Sequence, residues 1–416
     1  MNKKISVGIA ISLMAVVAAI AIAFTYSVAM NTFESRMSAI TERQSINDLI
    51  NEIDNKIRQQ YSGEVTDESI REGLASGYVD GLGDEFCRYF SAEDWDLETS
   101  RNSGSDFGLG INVSRATSGN IQVNRVTPGS PAAKAGLVKG DIITRVSGMT
   151  VLAMGYDNAL AIMNDSSSVE ITIEREGKWL KLTKSWYDTV TVEYKTVDDI
   201  GYISISSFNA TTHAQFNSAL NKLRQSKVTG LIIDLRNNSG GGYEYACDIM
   251  DTILPACRMM ITTDRSGNET VARRSDADAL DMPICVLING QTSGAAELFA
   301  SAAADCGIKL VGNPTYGHMT VQEDFELSDG SALRLTTSSW STTSGKAVVD
   351  GVVVPDTDIV LSSYQQSNFY LLSAEDDPHI MEAVKIIDKQ VAEGYVPPVA
   401  EETSGSDVAS KSDTAE

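Results

Sequence analysis

Histidine and cysteine are scarce in this 416-residue sequence, which contains three and five of them respectively. The histidines are scattered along the chain and the cysteines show no close-spaced metal-binding pattern, so we predict no metal site and no cofactor. An odd number of cysteines does not indicate a disulfide framework. Cys247 and Cys285 lie in apolar runs that are typical of buried residues, although Cys247 and Cys257 could pair.

Positive charge is also in short supply. Lysine and arginine together number 33 against 56 aspartates and glutamates, which gives a net charge of −23 at pH 7. This argues against a nucleic-acid partner, because no surplus of cations is available to neutralise phosphates, and likewise against electrostatic adhesion to anionic lipid. The hydrophobic fraction of 42% is enough for a sizeable core, and the length suggests two or three domains.

The N-terminal region, in contrast, has a long stretch without any charge. Residues 5–33 carry none and are mostly apolar, and about 20 such residues span a bilayer as a helix. Two lysines precede the stretch and an acidic residue follows it, which predicts a cytoplasmic start and an extracytoplasmic body. We therefore predict a membrane anchor over residues 1–33. The alternative is a signal peptide cleaved at Ser27-Val28-Ala29, which would give a secreted protein.

A helical segment is predicted for residues 34–103. Apolar residues recur at intervals of three and four between Ile46 and Ile57, which indicates an amphipathic helix. Thr66 is a suitable cap for a second helix over residues 67–78. The polar, turn-rich stretch 101–106 then predicts a domain boundary.

Short strands dominate residues 104–190. The segments 121–126 and 169–174 alternate apolar and polar residues, as half-buried strands do, and residues 157–164 fit a short helix. We predict a small separate domain here.

Residues 191–392 alternate strands with helices. The apolar runs 231–235 and 283–288 predict buried strands, and each is followed by a turn and a helical pattern. This order predicts an α/β fold with a mainly parallel sheet, in which chemistry collects at the carboxyl ends of the strands. The acidic tail, residues 393–416, is predicted to be disordered.

The segment Phe107-Gly-Leu-Gly-Ile111 could form a carboxylate-binding loop. Its two glycines would let successive backbone N–H groups point into one concavity, and the strand that follows could pair with an added peptide. On these five residues alone, a plain β-turn is the simpler interpretation. Leu109, Gly110 and Ile111 are the candidate peptide-binding residues.

Two further loops follow the buried strands of the α/β region. The first, Asp234–Gly242, contains three glycines that could present N–H donors to an oxyanion, although a tight turn between strand and helix is the alternative. It lacks the Gly-Lys-Ser/Thr ending of a phosphate-binding P-loop. The second, Asn289–Glu297, leads into a helix, where serine nucleophiles are often placed, but Gly294 and Glu297 also fit a helix cap.

In combination, these segments resemble the C-terminal processing peptidases, also called tail-specific proteases, over residues 36–390. The resemblance runs through segments 78–90, 126–137, 140–148, 201–208, 234–242, 289–297, 315–322, 328–332 and 351–356. It implies an exported serine endopeptidase of α/β fold whose Ser nucleophile is activated by a Lys base that a Gln orients.

The middle region resembles a PDZ domain, and PDZ domains bind peptide C-termini. The resemblance assigns this role to Leu109, Gly110 and Ile111, with helix 157–164 as the far wall of the groove. For the core it implies an oxyanion hole formed by the backbone at Gly240, Gly241 and Ala295.

The sequence departs from the family pattern at the catalytic dyad itself. Gly294 occupies the place of the nucleophile, with Ser293 beside it, and His318 occupies the place of the lysine, whereas Gln322 is retained. The first hypothesis is a membrane-anchored pseudoprotease that binds unfolded or C-terminal peptide segments of exported proteins. The second is an active endopeptidase that uses Ser293 with His318 as base. A purely structural surface protein is a weaker third, and the sequence is compatible with an oligomer.

Overall fold

The computed structural model describes residues 7–276 and 279–398. The helices are α1 (Val7–Gln60), α2 (Asp67–Asp80), α3 (Ala92–Ser103), α4 (Pro131–Ala135), α5 (Val151–Met154), α6 (Tyr156–Asp165), α7 (Thr212–Gln225), α8 (Tyr243–Ile253), α9 (Ala295–Asp305), α10 (Ser363–Ser367) and α11 (Pro378–Ala392). The strands are β1 (Arg88–Phe90), β2 (Ser105–Gly108), β3 (Ile111–Arg115), β4 (Ile121–Val126), β5 (Ile142–Val146), β6 (Met149–Thr150), β7 (Ser168–Ile173), β8 (Trp179–Thr183), β9 (Ser185–Asp188), β10 (Val192–Val197), β11 (Ile200–Ile205), β12 (Leu231–Asp234), β13 (Cys257–Asp264), β14 (Glu269–Ser275), β15 (Ile284–Ile288), β16 (Lys309–Gly312), β17 (Thr320–Glu326), β18 (Ala332–Ser341), β19 (Val348–Val349), β20 (Val352–Val353) and β21 (Thr357–Asp358).

Two compact units divide the chain, residues 1–75 and residues 76–416. In the first unit, the Thr66 hydroxyl accepts a hydrogen bond of 3.3 Å from the backbone N–H of Ser69, which confirms the predicted cap of α2. No helix formed by the described residues is both long and apolar enough to cross a membrane. The anchor predicted for residues 1–33 is therefore not confirmed and stays a prediction.

The segment predicted to be helical up to residue 103 contains one strand. Strand β1 pairs antiparallel with Ala332–Arg334 in β18, so the purely helical prediction is wrong at this point. The break predicted at residues 101–106 also starts later, because α3 continues to Ser103. Gly104 ends that helix in the left-handed conformation, at φ +98°, which glycine adopts without strain.

The PDZ-like region is a small antiparallel sheet around its own core. Its strands lie in the order β3-β4-β5-β7-β8, and β6 pairs with β5. Strand β7 shows the predicted alternation, because Val169, Ile171 and Ile173 are buried while Glu170 is exposed. Helix α6 covers this core, and the β2–β9 pair stands where the chain enters and leaves the region.

A six-stranded sheet forms the core of the larger region, in the order β10-β11-β12-β15-β16-β21. Only the β10–β11 pair is antiparallel, which confirms the predicted mainly parallel sheet. Apolar side chains from one face pack with α7, α8 and α9, and those from the other face pack with α11. Burial on both faces explains why these strands are continuous apolar runs.

A second, antiparallel sheet lies beside this core and was not predicted. Its strands follow the order β1-β18-β13-β14, with β17 paired to β18. It positions the site because β17 carries Gln322, one of the candidate residues, and the loop before β17 carries His318. The tail predicted to be disordered lies outside the described residues from position 399 onward.

Candidate functional site

Gly294 stands at the start of α9, where the chain leaves strand β15 and turns. Its backbone adopts φ 57° and ψ −116°, a conformation that residues with a side chain rarely adopt. A Cβ atom built at this position would lie 3.2 Å from Nδ1 of His318 and 3.6 Å from the hydroxyl of Tyr243. The turn therefore has the sharp geometry used to expose a nucleophile, and a side chain at position 294 would face the histidine.

His318 is held by contacts on several sides. Its ring stacks on Phe86 with 3.5 Å between the ring centroids and 2° between the ring planes. Its Nε2 atom lies 3.0 Å from Oε1 of Gln322. The amide nitrogen of Gln322 donates to the hydroxyls of Thr320 and Thr336, so the amide oxygen faces the ring and accepts from Nε2–H. This assignment of the proton leaves Nδ1 as an acceptor directed at Gly294.

The charge state of His318 is set mainly by burial. Burial lowers the pKa of His318 below its ordinary value of 6.5, and this effect outweighs the opposite influence of Gln322 and the nearby carboxylates. The ring is therefore neutral at pH 7. A neutral, oriented imidazole has the properties of a general base, but the position that it faces has no nucleophile.

Glu297 connects the turn at Gly294 with the loop that carries His318. Its side chain is fully buried, and its two oxygens accept hydrogen bonds from the backbone N–H groups of Gly294 (2.9 Å), Gly317 (2.7 Å) and His318 (2.7 Å). The hydroxyl of Thr315 donates a fourth bond. Because glycine has no side chain, only the glutamate half of the predicted capping box exists, and the carboxylate fixes the histidine loop as well as the helix start.

The glycine-rich loop Asp234–Gly242 packs against the start of α9. A Cβ built on Gly240 would lie 3.3 Å from the backbone nitrogen of Ala295, so the loop and the helix start are in contact. However, the N–H of Gly240 donates to Oδ1 of Asn238 at 2.8 Å, so it is not available as an oxyanion donor, contrary to the sequence prediction.

Two of the predicted oxyanion donors remain in suitable positions. Ala295 is the first residue of α9, and the N–H groups of a first helical turn point out of the helix without an intrahelical partner. Gly241 forms a parallel β-bridge with Phe208, and the hydrogen bonds of this bridge are made by Gly240 and Gly242. The N–H of Gly241 therefore points away from Phe208. Of the three residues that the resemblance assigns to an oxyanion hole, Gly241 and Ala295 thus remain candidates.

A buried network of ion pairs holds the start of the glycine-rich loop. Arg236 forms ion pairs with Asp234 at 2.6 Å and with Asp377 at 2.9 Å, and its side chain is 2% exposed. Burial alone would lower the pKa of Arg236, but the two carboxylates hold it well above its ordinary value. Asp377 was not predictable as a member of this network, because it is remote in sequence and meets Arg236 only in the folded chain.

Ser293, the alternative nucleophile, lies one residue before the sharp turn. Its backbone N–H donates to the carbonyl of Asn238 at 2.9 Å, and its carbonyl accepts from Ala296 at 3.1 Å, so the peptide groups on both sides are fixed. Ser293 and His318, both within the described part of the chain, form no hydrogen bond with each other. The geometry therefore gives no support to a Ser293–His318 pair.

The candidate active site opens into a cleft of about 490 Å³. It is lined at one end by Gly241, Gly294 and His318, and further out by charged side chains of both signs, which include Glu98 and Arg334. Among the described residues, no group of three or more His, Cys, Asp or Glu side chains is arranged to hold a metal ion. The cleft is thus a peptide-sized groove with an oriented base and backbone donors.

The candidate peptide-binding loop leads into β3, which is an edge strand of its sheet. Gly110 has φ +73°, and a Cβ there would lie 2.1 Å from Cβ of the buried Ser130, so only glycine fits. At the other end of β3, the Arg115 guanidinium lies 4.8 Å from the centroid of the Tyr156 ring at the start of α6. An edge strand beside a helix is the arrangement to which peptides add as an extra strand.

Two family profiles match the regions of the chain that contain these candidate sites. The profile of Peptidase family S41 matches residues 199–359, and that of the PDZ domain matches residues 98–174. The chain is 28% identical over 304 residues to the "Probable CtpA-like serine protease" of Staphylococcus haemolyticus, which covers 71% of this chain and 61% of that protein. It therefore spans less than two thirds of that relative's length.

A second relative and a solved structure extend the match. The carboxy-terminal processing protease CtpA of Bacillus subtilis is 28% identical over 357 residues, with 84% of this chain and 76% of that protein covered. The crystal structure of an S41 protease from Bacteroides fragilis superimposes with a TM-score of 0.57 at 18% identity, over 81% of this chain and 97% of the other. At this identity the likeness concerns the fold alone.

Proposed function

Because the chain belongs to the C-terminal processing peptidases of family S41 and carries a PDZ domain, we propose that it binds the C-terminal segments of other polypeptides without cleaving them. The observation that carries the proposal is the glycine at position 294, whose missing side chain would have faced His318. The proposed ligands are unfolded or C-terminal segments of exported proteins. Such a peptide would bind along β3 through its carboxylate and would also reach the cleft of the core.

The chemistry of the site supports loss of cleavage. Glycine supplies no hydroxyl, and removal of a catalytic nucleophile leaves only the small rate enhancement that binding and the oxyanion donors give. The oriented His318 could act as a base, which keeps an active endopeptidase as the second candidate. This second candidate requires the side chain of Ser293 to turn toward His318, whose Nδ1 atom faces position 294.

We further propose that residues 1–33 anchor the protein in the membrane with its body outside the cytoplasm. The support is the uncharged apolar stretch preceded by Lys3 and Lys4. A body exported without its anchor, after cleavage of a signal peptide, is the alternative. Sequencing the N-terminus of the protein isolated from its cells distinguishes the two, since only the cleaved form lacks the apolar stretch.

The test of the proposed function separates binding from cleavage. Full-length protein and its Ser293→Ala variant are incubated with an unfolded polypeptide, and new amino termini are counted alongside peptide binding. We expect both proteins to bind the polypeptide and to release fragments at the rate of a buffer blank. Cleavage by the unmodified protein that Ser293→Ala abolishes would instead establish the active endopeptidase.

The peptide-binding loop gives a second expectation. Gly110→Ala should weaken binding of a peptide with a free C-terminus by at least about tenfold, since the added Cβ overlaps Ser130 and displaces the loop. Gly148→Ala is the matched control, because Gly148 also has a positive φ (+82°) but no atom lies within 4 Å of its Cβ position. Fluorescence anisotropy measures the peptide affinity of both variants. The same peptide with an amidated C-terminus is the control ligand, which both variants should bind as the unmodified protein does. Equal affinities for Gly110→Ala and Gly148→Ala would reject the loop assignment.

A further inference from the structure

Two cysteines lie side by side where α9 meets the antiparallel sheet. Cys306 caps the C-terminus of α9, Cys257 is the first residue of β13, and their sulfur atoms are 3.7 Å apart. Both side chains are partly exposed, whereas Cys247, the partner that the sequence suggested for Cys257, is 1% exposed inside the core. We propose that Cys257 and Cys306 are a disulfide-forming pair that closes under oxidising conditions.

The positions of the two residues permit the bond. A disulfide requires its sulfur atoms to be about 2.0 Å apart, so the pair needs to approach by about 1.7 Å. Both residues stand at the ends of their elements, one just after a helix and the other at the start of a strand. Their partial exposure gives an oxidant access to the sulfur atoms.

The reaction is a thiol–disulfide exchange with a small-molecule or protein disulfide as oxidant. The thiolate of one cysteine attacks a sulfur of the oxidant, which forms a mixed disulfide and releases one thiolate. The second cysteine then attacks the protein sulfur of that mixed disulfide, forms the Cys257–Cys306 bond and releases the second thiolate. Two electrons and two protons leave the protein, and the oxidant disulfide becomes two thiols. A body outside the cytoplasm, as proposed above, would meet such oxidants.

The bond would act on the framework of the cleft. It would enclose β13, β14, β15 and α9 in one covalent loop, and α9 begins at Gly294. It would also connect that helix to the sheet in which β17 carries Gln322. Closing a loop restricts the unfolded chain, so the oxidised protein should be the more stable form.

The test uses the full chain in detergent, incubated with oxidised or reduced glutathione, blocked with N-ethylmaleimide and digested for mass spectrometry. We expect a peptide that links Cys257 to Cys306 in the oxidised sample only. We also expect a melting temperature about 5–10 °C higher after oxidation. Cys257→Ser and Cys306→Ser should each abolish the linked peptide and the redox dependence of melting. Cys87→Ser, at another partly exposed cysteine, should abolish neither.

Two results would overturn the proposal. In one, both thiols of the unmodified protein still react with N-ethylmaleimide after oxidation. In the other, the linked peptide joins Cys257 to Cys247. Because mass spectrometry of the unmodified protein decides between these outcomes, the conclusion does not depend on how well the serine variants fold. It is also independent of peptide binding and of the catalytic assays.

Discussion

Gly294→Ser is expected to turn the protein into a peptidase. A serine at this position places its Cβ about 3.2 Å from Nδ1 of His318, a tight contact from which the ring must move by a few tenths of an ångström. Its hydroxyl is then expected within hydrogen-bonding reach of a neutral base that Gln322 orients. The N–H groups of Gly241 and Ala295 then face the developing oxyanion. We expect cleavage of an unfolded peptide to rise at least about 100-fold above that of the unmodified protein, measured by the release of new amino termini.

Two controls isolate the hydroxyl as the cause. Gly294→Ala adds the same Cβ without a nucleophile and should stay inactive. Ser293→Ala in the Gly294→Ser background should leave the new activity unchanged, because Ser293 does not contact His318. If the Gly294→Ser variant binds peptide but does not cleave it, the missing nucleophile is not what silences the site. The double variant with His318→Lys, which restores the family's pair, would then show whether the histidine is at fault.

The pH profile of this variant provides an independent readout. Burial lowers the pKa of His318, so the imidazole loses its proton below pH 6.5 and is available as a base above that point. The value of kcat/KM should therefore rise with pH at acidic values, with its midpoint below 6.5, and be level from about pH 7 upward. A midpoint above 6.5 would mean that a different group governs the profile or that the pKa of His318 is not lowered.

Glu297→Ala is expected to cause the largest loss of stability. The substitution leaves three backbone N–H groups and the Thr315 hydroxyl without the fully buried carboxylate that accepts their hydrogen bonds. Each buried donor left without a partner costs roughly 1–3 kcal/mol, so the four together should cost about 4 kcal/mol or more. We expect the free energy of unfolding in urea to fall by that amount.

The matched control is an acidic residue on the surface. Glu170→Ala, at an exposed position of β7, should change the free energy of unfolding by no more than about 0.5 kcal/mol. Glu297→Gln tests the acceptor role at nearly constant volume, since one oxygen is kept and the other becomes a donor; its loss should lie between the two. If Glu297→Ala costs less than about 1 kcal/mol, the four bonds do not hold the site together.

The parallel sheet and its helices were predictable because burial on both sides leaves a strong local pattern. The continuous apolar runs predicted as strands at 231–235 and 283–288 contain β12 and β15. The two loops at the ends of β12 and β15 also come together as the topology of a parallel sheet requires. The position of Gly294 opposite His318 followed from the resemblance and agrees with the geometry.

The antiparallel sheet and the finer structure of the site were not predictable from local pattern. Strand β1 pairs with β18 across most of the chain, and its three residues carry no periodicity that separates them from their helical neighbours. Phe86 is far from His318 in the sequence, and the two rings stack only in the folded chain. The sequence did contain one signal for Glu297, an acid among the apolar residues that begin an alanine-rich helix, but its contacts with the histidine loop depend on distant residues.

The conformation of Gly294 also has a consequence for stability. At φ 57° and ψ −116°, a residue with a side chain bears strain of about 1–3 kcal/mol, which an active enzyme must tolerate to expose its nucleophile. Glycine adopts the same angles without that penalty. Compared with a serine at position 294, glycine therefore lacks both the backbone strain and the hydroxyl. In terms of the trade-off between stability and activity, glycine at position 294 keeps the sharp turn at the start of α9 without the strain that serine would bear there.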